Sequence, residues 1–270
     1  MRIRHFAILL LFSSPAWAQS AQVAPPPPPG MNVPDWALPG SPTHKQVPPP
    51  ADFHRAARTA MTPIGVFDGQ TDVGAALVPG SSSYDPATRK YSITSAGYNI
   101  WYQRDEFRFL WKKMSGDVSL VASVTWPDPT AFFDRKVALV IRQSLDDDSA
   151  EEVAAQHGGG MVHIAQRPTQ GGRMHDMEFQ SQSYGGVPGT SPDELTIIHP
   201  TRFGIEKKGD QFQLYVSWRG EPMRAIGQPE TFHATGPFYI GIGFTSHMAA
   251  TPLTAVVSDV VLENAAGKVR

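Results

Sequence analysis

Short runs in which apolar and polar residues alternate fill the chain from about Met61 to the C-terminus. In residues 238–244, phenylalanine and isoleucine alternate with tyrosine and glycine. Successive side chains of a β-strand point to opposite faces of the sheet, so a period of two predicts a strand with one buried face. Residues 202–207 and 211–218 alternate in the same way, and the Lys-Gly-Asp sequence between them is typical of a hairpin turn.

The pattern as a whole predicts the fold class. Helical periodicity is limited to a short stretch at residues 53–59, and glycine and proline separate the alternating runs. Many short strands at regular spacing are typical of antiparallel sandwiches and jelly rolls. No repeat of about 20–50 residues is present, so a propeller or a solenoid is not expected. We therefore expect an all-β fold at residues 61–265, a two-sheet antiparallel jelly-roll sandwich.

An aromatic stripe marks one of the predicted strands. Phe107, Phe109 and Trp111 lie two residues apart and so share one face of that strand. The Ser-Gly-Asp sequence at residues 115–117 then turns the chain into the next strand. Large aromatic side chains flanked by polar residues are usually buried, so we expect this face to lie in the core of the sandwich.

The N-terminal segment differs in composition from the rest of the chain. A basic start, an apolar run and a small-x-small site at Ala16-Trp17-Ala18 are typical of a secretory signal peptide, here residues 1–18. The proline-rich residues 19–60 are expected to form a disordered tether. The sequence thus predicts an extracytoplasmic protein, periplasmic or secreted. No later run reaches the about 20 apolar residues that a membrane-spanning helix needs.

The composition argues against several classes of protein. There is no cysteine, so we expect neither disulfides nor thiolate metal sites. A formal net charge of −2 lacks the basic excess of nucleic-acid-binding domains. The histidines show no metal-ligand spacing such as His-Glu-x-x-His. No cofactor or metal is predicted, although the acidic run Asp146-Asp147-Asp148 with Glu151 and Glu152 could attract calcium.

Catalytic candidates are sparse. Glycoside hydrolysis needs two carboxylates flanking the scissile bond, and the nearest such pair is Asp176 and Glu178, two residues apart on a predicted strand. His157 followed by three glycines is similar to an oxyanion-hole motif of esterases, but the chain has no Gly-x-Ser-x-Gly nucleophile elbow. We expect the glycines to form a hairpin turn, and the sequence favours a protein without catalytic activity.

Several short motifs follow one another in an order that is itself informative. They are Asn99-Ile100-Trp101, Asp105, Phe107, the turn at 115–117, Val140-Ile141-Arg142, Gln166-Arg167, residues 209–217 and residues 241–247. Together they resemble concanavalin A-like lectin/glucanase domains, and more narrowly secreted domains related to the "regulation of enolase protein" family. The resemblance implies a jelly roll with a concave face, a common carbohydrate-binding shape in that superfamily, but no established activity. This chain departs from the family's usual aspartate at Asn99.

Binding is the function that the candidate residues favour. Sugar rings have apolar faces and rims of hydroxyl groups, so their sites combine aromatic platforms with planar polar side chains. We expect such a surface to consist of Trp101, Tyr102, Arg104, Asp105, Arg142, Gln166 and Arg167. The first hypothesis is an exported, non-catalytic sandwich that binds a carbohydrate or cell-envelope polymer. The alternatives are a glycoside hydrolase-like enzyme and a protein-interaction or structural domain without a small ligand.

Overall fold

The computed structural model describes residues 55–129, 131–132, 134–158, 160–176, 200–218 and 220–270. Its strands are β1 (Arg58–Ala60), β2 (Gly69–Val73), β3 (Ser81–Asp85), β4 (Lys90–Gly97), β5 (Ile100–Trp101), β6 (Arg104–Asp105), β7 (Phe107–Met114), β8 (Val118–Thr125), β9 (Lys136–Arg142), β10 (Glu151–His157), β11 (Val162–Arg167), β12 (His175–Asp176), β13 (Arg202–Lys208), β14 (Gln211–Ser217), β15 (Arg224–Thr231), β16 (Phe238–Thr245) and β17 (Met248–Glu263).

Two large antiparallel sheets make up the fold. The first has eight strands in the order β1-β2-β7-β16-β9-β10-β11-β12, and the second has seven in the order β15-β14-β13-β8-β17-β4-β3. A separate two-stranded hairpin is formed by β5 and β6. The described residues contain no helix, so the predicted all-β, two-sheet sandwich is confirmed. The helical stretch expected at residues 53–59 is wrong at its end, because residues 58–60 form β1 and pair with β2.

The core between the sheets follows the alternation seen in the sequence. Phe238, Ile240, Ile242 and Phe244 of β16 are buried in it, together with residues of β8, β13 and β14 from the other sheet. Tyr239, Gly241 and Gly243 face the opposite side of the eight-stranded sheet because their positions alternate with the core residues. We call that opposite side the outer face. Where the structure describes the chain, no helix is long and apolar enough to cross a membrane.

The aromatic stripe is buried, but not where the sequence placed it. Phe107, Phe109 and Trp111 lie in a second apolar cluster on the outer face, whereas Leu110 between them faces the other sheet. The prediction of burial is confirmed and the prediction of the inter-sheet core is wrong. Alternation shows which residues share a face, but both faces of this sheet are covered. The sequence period therefore could not distinguish them.

Glycines make room for the aromatic rings of the outer face. A Cβ at Gly69 would lie 2.4 Å from the Trp111 ring, and one at Gly243 would lie 2.7 Å from the Phe107 ring. These contacts are too close for any side chain larger than hydrogen. The rings can therefore lie flat against neighbouring strands, and the Trp111 indole nitrogen donates a hydrogen bond to the Thr71 hydroxyl at 2.8 Å.

Candidate ligand-binding site

The hairpin Ile100–Asp105 lies across the outer face. Ile100 packs in the outer apolar cluster, and the amide of Asp105 donates to the carbonyl of Asp147 at 2.8 Å. At the tip, the amide of Met174 donates to the carbonyl of Tyr102 at 2.9 Å. Tyr102 itself has a φ of +56°, a backbone conformation that is unfavourable for a bulky residue. The surrounding contacts hold the hairpin tip in this conformation.

A cluster of four charged residues anchors the hairpin from below. The two terminal guanidinium nitrogens of Arg167 donate to the Asp105 carboxylate, at 2.6 and 2.8 Å, and Arg142 lies 3.4 Å from it. Glu151 completes the cluster, 3.1 Å from Arg167 and 3.6 Å from Arg142. All four side chains have 0% exposure. We call these residues the buried charge cluster.

The electrostatics of the buried charge cluster follow from its burial. Burial raises the pKa of Glu151 to about 8, helped by the charge of Asp105 and opposed by Arg142 and Arg167. For Arg167, burial alone would lower the pKa, but the two carboxylates outweigh it and the pKa is raised. Arg167 therefore stays charged. Its Nε also donates to the Tyr102 carbonyl at 3.2 Å, which ties the cluster to the tip of the hairpin.

A second polar group lies behind Trp101. The Lys136 ammonium donates to the Asn99 side-chain oxygen at 2.7 Å and lies 5.5 Å from the centre of the Trp101 ring. The His163 ring meets Trp101 nearly edge to face, with 5.7 Å between ring centres. These contacts fix one side of the indole, so its orientation is set before any ligand arrives.

The outer side of the hairpin is the part that a ligand can reach. Trp101, Tyr102, Gln103 and Arg104 are all partly exposed. The two aromatic rings are nearly perpendicular, at 84°, with 6.5 Å between their centres. Arg104 is held by Asp147 through a 3.1 Å ion pair. The hairpin thus presents aromatic surface beside fixed hydrogen-bond donors, the combination that sugar recognition uses.

The structure divides the predicted ligand-binding residues into three groups. Trp101, Tyr102 and Arg104 lie together on the accessible side of the hairpin. Asp105, Arg142 and Arg167 also lie together, but they are fully buried and pair with one another and with Glu151. Gln166 is apart from both groups. It pairs in the sheet with Glu152, on the side that faces the other sheet.

The residues of the catalytic and calcium alternatives lie mostly outside the hairpin. Asp176 ends β12, an edge strand paired with β11, and Glu178 lies outside the described residues. In the acidic run, Asp147 pairs with Arg104 and the Asp148 carboxylate accepts from Gln170 at 3.1 Å. No group of three or more potential ligands in the described part of the chain could hold a metal ion.

Two site residues were not identified from the sequence: Lys136, and Glu151 as a partner of two arginines. A signal was present for Lys136, because a charged residue begins strand β9 directly before the apolar residues 137–141. The sequence does not show that this lysine is buried, with only 3% of its surface exposed. In the sequence Glu151 stands out only as part of an acidic run, because its partners Arg142 and Arg167 lie on the two neighbouring strands, β9 and β11.

No protein-family model matches the sequence, and no curated protein matches it. Similar solved structures include a functionally unknown protein from Saccharomyces cerevisiae, with TM-score 0.47, 13% identity, and coverage of 69% of this chain and 92% of that one. The alginate lyase from Klebsiella pneumoniae has a TM-score of 0.38 and 11% identity, with coverage of 69% of this chain and 85% of that one. Lectin I from Ulex europaeus, in complex with a fucose glycoside, has a TM-score of 0.40 and 5% identity, with coverage of 77% of this chain and 91% of that one. The sandwich architecture follows from the strand pairings of the chain itself.

Proposed function

We propose that this protein is an exported, non-catalytic β-sandwich that binds a carbohydrate or cell-envelope polymer on the outer side of the hairpin. The observation that carries the proposal is the hairpin itself. It presents Trp101 and Tyr102 to solvent while the buried charge cluster holds it against the sheet. The signal peptide at residues 1–18 and the tether at 19–60 are part of the proposal, as is kinship with domains related to the "regulation of enolase protein" family.

Pre-organisation supports a binding role. Ordering a rotamer-rich side chain on binding costs about 0.5–1.5 kcal/mol, and this cost is avoided where the side chain is already held. Trp101 contacts Lys136 and His163, and Arg104 is paired with Asp147. A sugar ring stacked on the indole would therefore meet donors already in place. The hairpin covers the part of the outer face on which it rests. A ligand would therefore bind to the exposed side of the hairpin and not to the sheet beneath it.

The proposal is tested by affinity pull-down of the full chain on chitin, amorphous cellulose, peptidoglycan sacculi and alginate. The expected result is retention by at least one polymer, weakened by Trp101→Ala by roughly 2- to 10-fold, because an aromatic stacking contact is worth about 0.5–1.5 kcal/mol and about 1.4 kcal/mol is tenfold in affinity. Tyr215→Ala is the matched control, since Tyr215 is also partly exposed but lies on the other sheet. Retention by none of the polymers, or equal retention of both variants, would favour the protein-interaction alternative.

A further inference from the structure

Two buried histidines lie beneath Trp101, where a bound ligand would not reach them. His157 on β10 and His163 on β11 lie with 3.2 Å between Nε2 of the first and Nδ1 of the second. Their ring centres are 5.0 Å apart, and His163 in turn meets the Trp101 ring at 5.7 Å. We call these two residues the histidine pair. The platform tryptophan therefore rests on a pair of titratable rings.

The contact between the rings depends on the number of protons they carry. A 3.2 Å contact between two ring nitrogens is a hydrogen bond in which one nitrogen donates and the other accepts. If both rings of the histidine pair are protonated, every ring nitrogen carries a hydrogen and neither can accept. The two N–H groups would then point at each other, and the contact would open.

The charged groups around the histidine pair decide how readily it accepts a proton. Lys136, on β9, brings a positive charge beside the pair, and burial and Lys136 together hold the pKa of His157 well below its usual range. Burial, His157 and Lys136 do the same to the pKa of His163. Both rings are therefore neutral at neutral pH.

Two further groups lie against His157 from adjoining segments, and His247 lies behind one of them. The Asp134 carboxylate lies 3.6 Å from Nδ1 of His157. It also lies 3.8 Å from Nδ1 of His247, a residue of the turn between β16 and β17. The Arg135 side chain packs against Gly158, directly after His157. Asp134 is the acid that faces His157, while Lys136 and Arg135 add positive charge. Protonation of both rings would leave more cations than anions in a closed space.

We propose that the histidine pair is a pH-sensitive latch that holds Trp101 in place at neutral pH and releases it on acidification. The latch acts through the contact of His163 with Trp101 and through Lys136, which contacts both Asn99 and the indole. Its effect on ligand affinity rests on the proposed function. The movement of Trp101 itself does not, because it takes place without a ligand.

The direct test follows the Trp101 indole N–H by NMR in the full chain between about pH 7.5 and pH 5. The signal is assigned by its loss in Trp101→Phe. We expect it to shift or broaden on acidification while far-UV circular dichroism stays unchanged. In His163→Gln, which retains hydrogen-bonding capacity without titrating near neutral pH, the signal should stay constant over the same range. His233→Gln is the matched control, because His233 is 77% exposed and pairs with Asp210 away from the hairpin.

The second measurement is retention on whichever of the four polymers binds the wild type. Each proton taken up on release changes the balance between held and released forms by up to about tenfold per pH unit. We expect retention to weaken by roughly tenfold or more between about pH 7.5 and pH 5 in the wild type, and by less than about twofold in His163→Gln.

The outcomes separate the latch from the proposed function. If no polymer retains the protein at any pH, the proposed function fails, and the indole signal alone decides the latch. A constant indole signal in the wild type overturns the latch, as does a change that coincides with global unfolding. If His163→Gln does not fold, titration of the histidine Cε1–H signals of the wild type replaces it. The latch is then supported only if His157 or His163 titrates together with the Trp101 signal.

Discussion

Replacing Asp105 with asparagine tests the buried charge cluster most directly. The substitution would keep the shape of the side chain but remove the charge that faces two guanidinium groups, one of them bound through two of its nitrogens. Removing one partner of a buried ion pair typically costs about 3–5 kcal/mol, because the remaining charge is left uncompensated in a medium that cannot solvate it.

The structure places the expected cost near the lower end of that range. Asp105 is one of the causes that raise the pKa of Glu151. Without it, Glu151 ionises more readily and compensates part of the charge of Arg142 and Arg167. We therefore expect Asp105→Asn to lower the free energy of unfolding by about 3 kcal/mol at pH 7, a large share of the about 5–15 kcal/mol of a typical domain.

Urea unfolding followed by far-UV circular dichroism measures this effect. With a slope of about 1–3 kcal/mol per molar urea, the midpoint should fall by about 1 M or more. The control is Asp68→Asn, because Asp68 pairs with Lys112 at 3.1 Å with side chains 46% and 40% exposed. Such a pair is worth about 0–1 kcal/mol. Equal midpoints for the two variants would refute the argument that burial makes the Asp105 cluster essential to stability.

Two further predictions concern packing and pH. Gly243→Ala should lower the free energy of unfolding by about 1–3 kcal/mol, because its Cβ would lie 2.7 Å from the Phe107 ring, and the double variant with Phe107→Leu should recover part of the loss in the same urea assay. The raised pKa of Glu151 means that the folded state binds more protons than the unfolded state between about pH 4.3 and pH 8. Its contribution to stability is thus fully present below about pH 4.3 and is lost as the pH rises through about 8. Glu151→Gln should flatten this part of the dependence of the melting temperature on pH, and an unchanged slope would contradict the assignment.

The histidine pair acts on stability in the opposite direction. Its pKa values are lowered in the folded state, so the unfolded state binds more protons below about pH 6.5 and stability falls as the pH decreases from there. Between about pH 4.3 and 6.5 the two contributions oppose each other. His163→Gln should therefore show higher stability than the wild type on acidification relative to pH 7, measured as the change in melting temperature.

Much of the fold could be predicted from the period of two along the chain. Residues 238–244 and 202–207 alternate cleanly, and both form strands whose apolar positions are buried between the sheets. The prediction rests on local geometry, since a strand with one buried face requires this alternation whatever its partners are. The grouping of Trp101, Tyr102 and Arg104 on one surface could also be predicted, because these residues are neighbours in the chain.

Only the tertiary structure decided which faces are buried and which charges meet. Phe107, Phe109 and Trp111 share a face in the sequence, but whether it lies against the second sheet or beneath a hairpin depends on where residues 100–105 fold back. Asp105 meets Arg142 and Arg167 across 37 and 62 residues of chain. No local pattern records such a pairing, because the energy of a buried charge depends on what surrounds it in space. The sequence by itself determined the strands, and the packing of the hairpin onto the sheet decided that two predicted ligand-binding arginines hold the platform from beneath.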